Sequence, residues 1–325
     1  ASSNRMKAML KSFYHVGLTI EDFCFYELVP HRFLKQHAEI KNKITQHVLN
    51  NFPEPDNYAS IIKTERLIKS VSVQNLKLNA SNVRLQIATQ KGRDLYRKLQ
   101  TKPSIIYNQF GTRTGRLTTL PNSFPILTLS KKMRAVIEPY RTAFLEFDVV
   151  SAEVATLFYL TDRPIPSGDL HEWINKNAFD GKLTRDESKV AFFSWLYDPR
   201  KTNDALEKLF SRQEILEKYY FNGRINNPLG RKIEVGEEKA LNYLVQSTFN
   251  DIFLINIAKL SEKLKEWGLK SNIAFFIHDS VVLDFDVREK DRIDDIVSVL
   301  SHFDDYKFDL HMNLGKNYGE MREIK

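Results

Sequence analysis

The stretch Phe144-Leu-Glu-Phe-Asp-Val-Val-Ser-Ala-Glu-Val-Ala-Thr-Leu-Phe-Tyr-Leu160 constrains this chain more than any other. It reads as a buried strand, Phe144 to Val150, that breaks directly into a helix. Ser151 stands where an N-cap is expected, and Glu153 suits the positive end of the first helical turn. Asp148 then falls near the end of a buried strand, where a carboxylate needs hydrogen bonds or a cation. A lone aspartate in such a place is most often a cap or turn residue. A second stretch, Ala274-Phe-Phe-Ile-His-Asp-Ser-Val-Val-Leu-Asp-Phe285, reads as two short apolar strands around His278-Asp279, although His-Asp is not the favoured turn pair. If both strands lie in one sheet, Asp148 and Asp279 meet. Two hard carboxylates converging in a basic protein suit Mg²⁺; the plainer reading is two unrelated turn aspartates.

The 325 residues are 42% hydrophobic, enough for about two domains or one large lobed one. A net charge of +7 favours a polyanionic partner. Cys24 is the one cysteine, which excludes an intrachain disulfide and a Cys-rich zinc site. It reads as a small buried hydrophobe in a reducing compartment. No apolar run approaches the ~20 residues of a membrane span, and no secretory signal opens the chain. These features point away from secretion and membranes, toward the cytoplasm. The opening Ala-Ser-Ser, without Met, suggests a tag remnant or a longer protein trimmed at its start.

Residues 1–100 read as helix-rich with basic faces. Within His31–Phe52, Ile40, Ile44 and Val48 recur every four positions, with Lys35, Lys41 and Lys43 off that stripe. This is an ordinary amphipathic helix or an arm that grips phosphates. Asn51–Tyr58, with two prolines, marks a break. Ser104–Phe110 is a strand candidate. Gly111-Thr-Arg-Thr-Gly-Arg-Leu-Thr-Thr119 follows, a loop rich in donors and short on bulk. Such a loop brings guanidinium and hydroxyl groups close to phosphates, or is simply a solvated turn.

After a break at Thr161–Gly168, Asp169–Phe179 reads as a helix, and Thr184 caps another with Asp186 and Glu187 in its first turn. Along the latter, Arg185, Lys189, Phe193 and Tyr197 stand four apart and form one slanted stripe. Two cations followed by two aromatics suit a triphosphate beside a base; a salt-bridged, half-buried helix is the plainer reading. Residues 200–236 read as a charged helical segment and then a turn at Asn226–Lys232. Glu237–Trp267 reads as a long helix, continuous or with one interruption, stopped by Gly268, with Asn242 and Gln246 on one face. A helix near Glu289–Phe303, an extended Phe308–Leu314 and Gly315-Lys-Asn-Tyr318 close the chain.

These stretches, in this order, resemble the family A DNA polymerases, the group of bacterial DNA polymerase I, over roughly Phe110 to Tyr318. Thr114-Gly-Arg-Leu-Thr-Thr119 is similar to the family's T-G-R-L-S/T-S/T loop, and Asp148 through Glu153 to its motif A, D-x-x-x-x-E. Arg185, Lys189, Phe193 and Tyr197 resemble motif B, Asn242 and Gln246 the N-x-x-x-Q helix, and His278-Asp279 motif C. Gly315-Lys-Asn-Tyr318 is similar to the terminal G-x-N-W/Y.

The resemblance implies an α+β right-hand fold with an antiparallel palm sheet, helical fingers and a helical thumb. Residues 1–103 would be a thumb-like helical region and the start of the palm, 104–168 the first part of the palm, 169–245 the fingers and 246–325 the second part of the palm. It implies template-directed addition of deoxynucleotides to a primer 3′ end. Asp148 and Asp279 would hold two Mg²⁺, with Mn²⁺ able to substitute, and Lys189 would join them as a catalytic residue. Arg185, Lys189, Phe193, Tyr197 and Glu153 would bind the incoming deoxynucleoside triphosphate. Thr114, Arg116, Asn242, Gln246 and His278 would contact primer–template DNA. No Asp-x-Glu proofreading signature is present, so exonuclease and processivity functions are expected of separate partners.

Several positions depart from the family pattern. Ser280 stands where motif C usually carries Glu, Ala155 where motif A carries Arg, and Val149-Val150-Ser151 replaces a polar run. Asp198 replaces a Gly after motif B, and Glu238 or Lys239 an Arg before Asn242. These bear on speed, fidelity and primer grip. One rival reading is a single-subunit RNA polymerase or primase, which shares the palm and usually carries His-Asp-Ser in motif C; Glu153, Phe193 and the T-G-R-L loop speak against it. Another is a catalytically silent nucleic-acid-binding protein with a degenerate palm; retention of Asp148 and Asp279 speaks against that.

Overall fold

Strand β1 (Ala143–Val149) forms where the sequence requires it, and every residue in it is buried except Glu146 and Asp148, which are partly so. The computed structural model describes residues 2–17, 27 and 30–324; Cys24 lies outside them. β1 is the middle of a five-stranded antiparallel sheet with β2 (Asn272–Ile277), β3 (Ser280–Phe285), β4 (Leu310–Gly315) and β5 (Arg322–Glu323), in the order β5-β4-β1-β3-β2. Across it, Asp148 pairs with Ser280 on one side and His311 on the other, and Glu146 pairs with Val282 and Asn313. Directly paired residues share a face, and successive residues alternate. One face therefore carries Glu146, Asp148, Ser280, His311 and Asn313. The other carries Leu145, Phe147, Val281, Leu283 and Met312, all buried.

The helix after β1, α1 (Ala152–Leu160), is reached through Ser151 at φ +48, and the Ser151 side chain makes no capping bond. The expected serine cap is thus a left-handed corner instead, because the chain must reverse sharply at the strand end. α2 (Leu170–Ala178) is capped by Asp169, which accepts from the His171 and Glu172 amides at 2.9 and 3.0 Å. α3 (Arg185–Tyr197) opens with a full capping box between Thr184 and Glu187 and ends at Asp198. α4 (Glu237–Glu266) is 30 residues without a break, against the interruption allowed for above, and Gly268 at φ +65 follows it.

Other elements differ from the sequence reading. Residues 200–236 hold two short helices, Asp204–Phe210 and Arg212–Tyr219, and then a three-stranded sheet of Tyr220–Phe221, Arg224–Asn226 and Lys232–Glu234. Asn222 and Gly223 both take positive φ between the first two strands, which is the favoured two-residue hairpin turn. The strand expected over Ser104–Phe110 shrinks to Tyr107–Asn108, paired with Thr118–Thr119. The Glu289–Phe303 helix is a 3₁₀ turn, Val287–Arg292, followed by an α-helix, Ile293–Ser301.

The chain divides at Pro55 into two units. The first contains the helices Ser2–His15 and His31–Asn51. In the second of these helices no residue is buried, and Ile40, Ile44 and Val48 are each about half exposed. The amphipathic pattern makes a helix there, but its apolar stripe faces solvent.

In the second unit, α4 is a central strut. Asn256 Nδ2 on it donates to Leu300 O at 3.0 Å and His302 O at 3.1 Å. Asp251 accepts two bonds from Arg231, Nη2 at 2.6 Å and Nε at 2.9 Å, and a third from Asn227 Nδ2 at 2.8 Å. This ion pair is largely buried, so removing one partner leaves the other charge uncompensated. Asp251→Ala is expected to lower unfolding stability by ~3–5 kcal/mol, read as a lower urea midpoint with an unchanged slope.

Candidate active site

The antiparallel pairing of β1 with β3 sets the site. Asp148 sits near the end of β1, and Asp279 lies in the two-residue turn from β2 into β3, where the Val149 amide donates to the Asp279 carbonyl at 3.1 Å. His278 takes φ +53 in that turn, a left-handed conformation few side chains adopt, and is exposed. Glu146, two residues before Asp148, brings a third carboxylate to the same face. Its Oε2 accepts from Asn313 Nδ2 at 3.1 Å. Burial, then the nearby Asp279 and Glu146 charges, push Asp148 up to about 7. Burial also raises Glu146, with the Asp279 charge adding to it and hydrogen bonds from Asn313 and Ser280 opposing it.

Crowded oxygen donors whose mutual repulsion favours protonation fit a hard divalent cation, which would relieve that repulsion. Among the described residues no three His, Cys, Asp or Glu side chains are placed to hold one ion by themselves. Two aspartates would therefore need oxygens from a ligand to complete the shell, as Mg²⁺ commonly takes from phosphates.

Glu153 joins three elements. From the first turn of α1 it accepts from Tyr197 Oη, at the end of α3, at 3.3 Å, and it pairs with Arg116 Nη2 of the glycine loop at 3.7 Å. Gln246 on α4 also hydrogen-bonds Tyr197. Phe193 stacks on Tyr197 with ring centroids 5.6 Å apart and planes 5° from parallel. Four of the sequence-predicted residues, Glu153, Tyr197, Arg116 and Gln246, are thus brought into one contact network, with Phe193 beside it.

At the other end of the α3 stripe, Arg185 Nε binds Asp169 Oδ2 at 2.5 Å, and Lys189 is exposed one turn on. Burial opposes ionisation of Asp169, but the Arg185 bond and the α2 amides outweigh it and hold its carboxyl below the ordinary range. His171, buried between these groups, has an Nδ1 without a partner. Burial, with the Lys189 and Arg185 charges, lowers it to about 4, so the imidazole is neutral.

The glycine loop is clamped from behind. Gly115 takes φ +79, and a Cβ there would come 2.5 Å from Arg231 Nη2. Asn250 Nδ2 donates to the Gly115 carbonyl at 2.7 Å. Thr114 is buried by this packing, whereas Arg116 is exposed and lines a cleft with His278. Asn242 has a buried Oδ1 without a partner, and it does not join the network of Glu153.

Sequence reading missed Glu146, Asp169, His171, Arg231, Asn250 and Asp251. Strand alternation from Asp148 would have found Glu146, and the cap position would have found Asp169. The Asp251 cluster has no local signal, since its partners are 20 or more residues away.

No family model matches the chain. A DNA polymerase of Bacillus phage SP01 is 23% identical over 355 residues, a match covering 81% of this chain and 38% of the phage protein. The chain thus spans well under half the length of that relative. Among solved structures, the POL domain of Pol1 from M. smegmatis, in complex with DNA primer–template and dNTP, superposes with a TM-score of 0.60 at 14% identity, covering 79% of this chain and 70% of that one. The chain has the α+β fold of a polymerase domain, and the two comparisons together support the family A assignment that its motifs implied.

Proposed function

We propose that this chain is the polymerase module of a DNA polymerase and adds deoxynucleotides to a primer 3′ end on a DNA template. The observation that carries the reading is the register of β1 on β3, which sets Asp148 opposite Ser280 and so beside Asp279 in the adjoining turn, where burial and then the Asp279 and Glu146 charges push Asp148 up to about 7. The phage relative and the polymerase-domain fold support it. Residues 1–103 serve as thumb and palm start, 104–168 and 246–325 as palm, and 169–245 as fingers. Proofreading, where present, lies outside this chain. Among the described residues no helix is long and apolar enough to cross a membrane. A phage homologue fits a role at a viral replication site.

In this reading Asp148 and Asp279 hold two Mg²⁺, or Mn²⁺, on the palm face. Bound there, the ions supply activation of the primer hydroxyl and stabilisation of the leaving pyrophosphate. Arg185 and Lys189 on α3 face the triphosphate, with Lys189 near the leaving group. Neutral His171 offers its unpartnered Nδ1 beside them. Phe193 packs against the sugar and base, and Tyr197 lies by the template base. Arg116, Thr114, Asn242, Gln246 and His278 line the primer–template; the orphan Oδ1 of Asn242 accepts from the DNA.

Glu153 is the sugar gate. Arg116 and Tyr197 fix its carboxylate, and only 18% of its side chain is exposed. A ribose 2′-hydroxyl must displace it or stay unpaired, at ~1–3 kcal/mol, which is roughly tenfold to over a hundredfold in selectivity.

Asp148→Asn and Asp279→Asn are each expected to lose nucleotide addition by at least ~10³-fold while retaining affinity for primer–template, measured by primer extension and by fluorescence anisotropy. Near-normal extension in Mg²⁺ by either variant would sink the assignment. Glu153→Ala is expected to narrow the preference for deoxynucleotides by about tenfold or more, mainly through faster ribonucleotide incorporation in single-turnover assays. A wild type that uses ribonucleotides equally well would instead favour the RNA polymerase reading that Ser280 suggests.

A further inference from the structure

Glu146 has no role in the resemblance and was not singled out by the sequence, yet its side chain emerges beside the aspartate pair. It lies two residues before Asp148 on β1, so both carboxylates leave the same face of the sheet. Asn313 Nδ2 on β4 holds its Oε2 at 3.1 Å. On β3 Glu146 pairs with Val282, two positions from Ser280, the residue in direct register with Asp148. The Ser280 hydroxyl has one proton to give and faces both Glu146 and the Ile277 carbonyl, 3.2 Å away. The position where motif C usually carries Glu is therefore a serine whose hydroxyl donates to the Ile277 carbonyl, with a glutamate on the same face of the neighbouring strand.

Structure alone gives little reason for a carboxylate here. A partly buried central strand position favours a β-branched or aromatic residue, and a buried charge costs free energy. The partners Asn313 and Ser280 are neutral. The one cation acting on Glu146 is Arg134, whose guanidinium lies 5.1 Å from the centre of the Tyr318 ring, while Asp279 opposes its charge. The arrangement puts two carboxyl groups, Glu146 and Asp148, on one face of the sheet with Asp279 in the adjoining turn.

We propose that Glu146, held by Asn313 on the face that carries Asp148, supplies negative charge beside the aspartate pair and so raises its divalent-cation affinity. The inference rests on the polymerase reading only in naming the cation's use; the charge cluster itself is independent of it. Two signatures distinguish the role from packing. Removing the charge weakens cation binding, and it relieves repulsion in the cation-free protein.

The test compares Glu146→Gln, which keeps the shape, with Glu146→Asp, which keeps the charge. Mn²⁺ binding to the protein–primer–template complex is titrated by electron paramagnetic resonance. Glu146→Gln is expected to bind Mn²⁺ about tenfold more weakly, and Glu146→Asp to recover part of that loss. In primer extension, Glu146→Gln should raise the half-saturating Mg²⁺ concentration by a similar factor and lower the saturated rate far less. Its cation-free melting temperature should match or exceed that of the wild type. Unchanged Mn²⁺ affinity in Glu146→Gln overturns the proposal, as does equal loss in both variants or a marked fall in cation-free melting temperature for Glu146→Gln. If the wild type extends primers and the Mn²⁺ affinity of Glu146→Gln is unchanged, this inference fails and the polymerase reading stands. If Glu146→Gln weakens Mn²⁺ binding but the wild type does not extend primers, the charge role stands and the polymerase reading fails.

Discussion

Everything at the site depends on how β1 pairs with β3. Register in an antiparallel sheet is fixed by which face is buried, and a slip of one residue would send every side chain to the opposite face. Here Leu145, Phe147, Val281, Leu283 and Met312 bury the other side of three adjacent strands. The same alternation forces Glu146, Asp148 and Ser280 onto the opposite face. The aspartates are not drawn together by attraction; their charges repel. Apolar burial on the far side of the sheet is what holds them in place.

That arrangement explains why the site is electrostatically unfavourable when empty. Half-burial weakens solvation of the Asp148 carboxylate, and Asp279 and Glu146 add like charge, so its proton is held up to about 7. Sites with this pattern are frequent where chemistry occurs, because the tension is resolved by a ligand rather than by the fold. The cationic end of α3 has the reverse polarity. Arg185 is partly neutralised by Asp169, and His171 is kept uncharged by burial and its neighbours. A polyanion bound at that end would meet Lys189 and Arg185 on α3.

Much of this was legible in the sequence. The strand–helix joint at Asp148, the hairpin at Asp279 and the capped helix of Arg185 to Tyr197 each carry local signals: burial runs, caps and fourfold spacing. The T-G-R-L loop was legible as a donor-rich turn, but its rigidity was not, because Gly115 is pinned by Arg231 and Asn250 from more than 100 residues away. Within residues 200–236 the helical stretch and the turn after Asn226 hold, but the charge hides the three short strands, which the Asn222-Gly223 turn pair marks. The stripe of Ile40, Ile44 and Val48 shows the converse. Periodicity correctly gives a helix over His31–Asn51, but periodicity carries no information on what, if anything, covers the stripe. Ser151 was placed at the right position with the wrong conformation, since a cap and a left-handed corner can look alike in sequence.

The unbroken α4 has a consequence for motion. At 30 residues it is ~45 Å long, and its anchors are side chains of one rod: Asn250 to the glycine loop, Asp251 to the small sheet, Asn256 to the end of the last helix. These three regions share no hydrogen-bonded ladder with one another, yet none can part from α4 without exposing a buried polar group. Their amides should therefore exchange with solvent together, in one cooperative opening set by the rod, rather than as three loops fraying at their own rates.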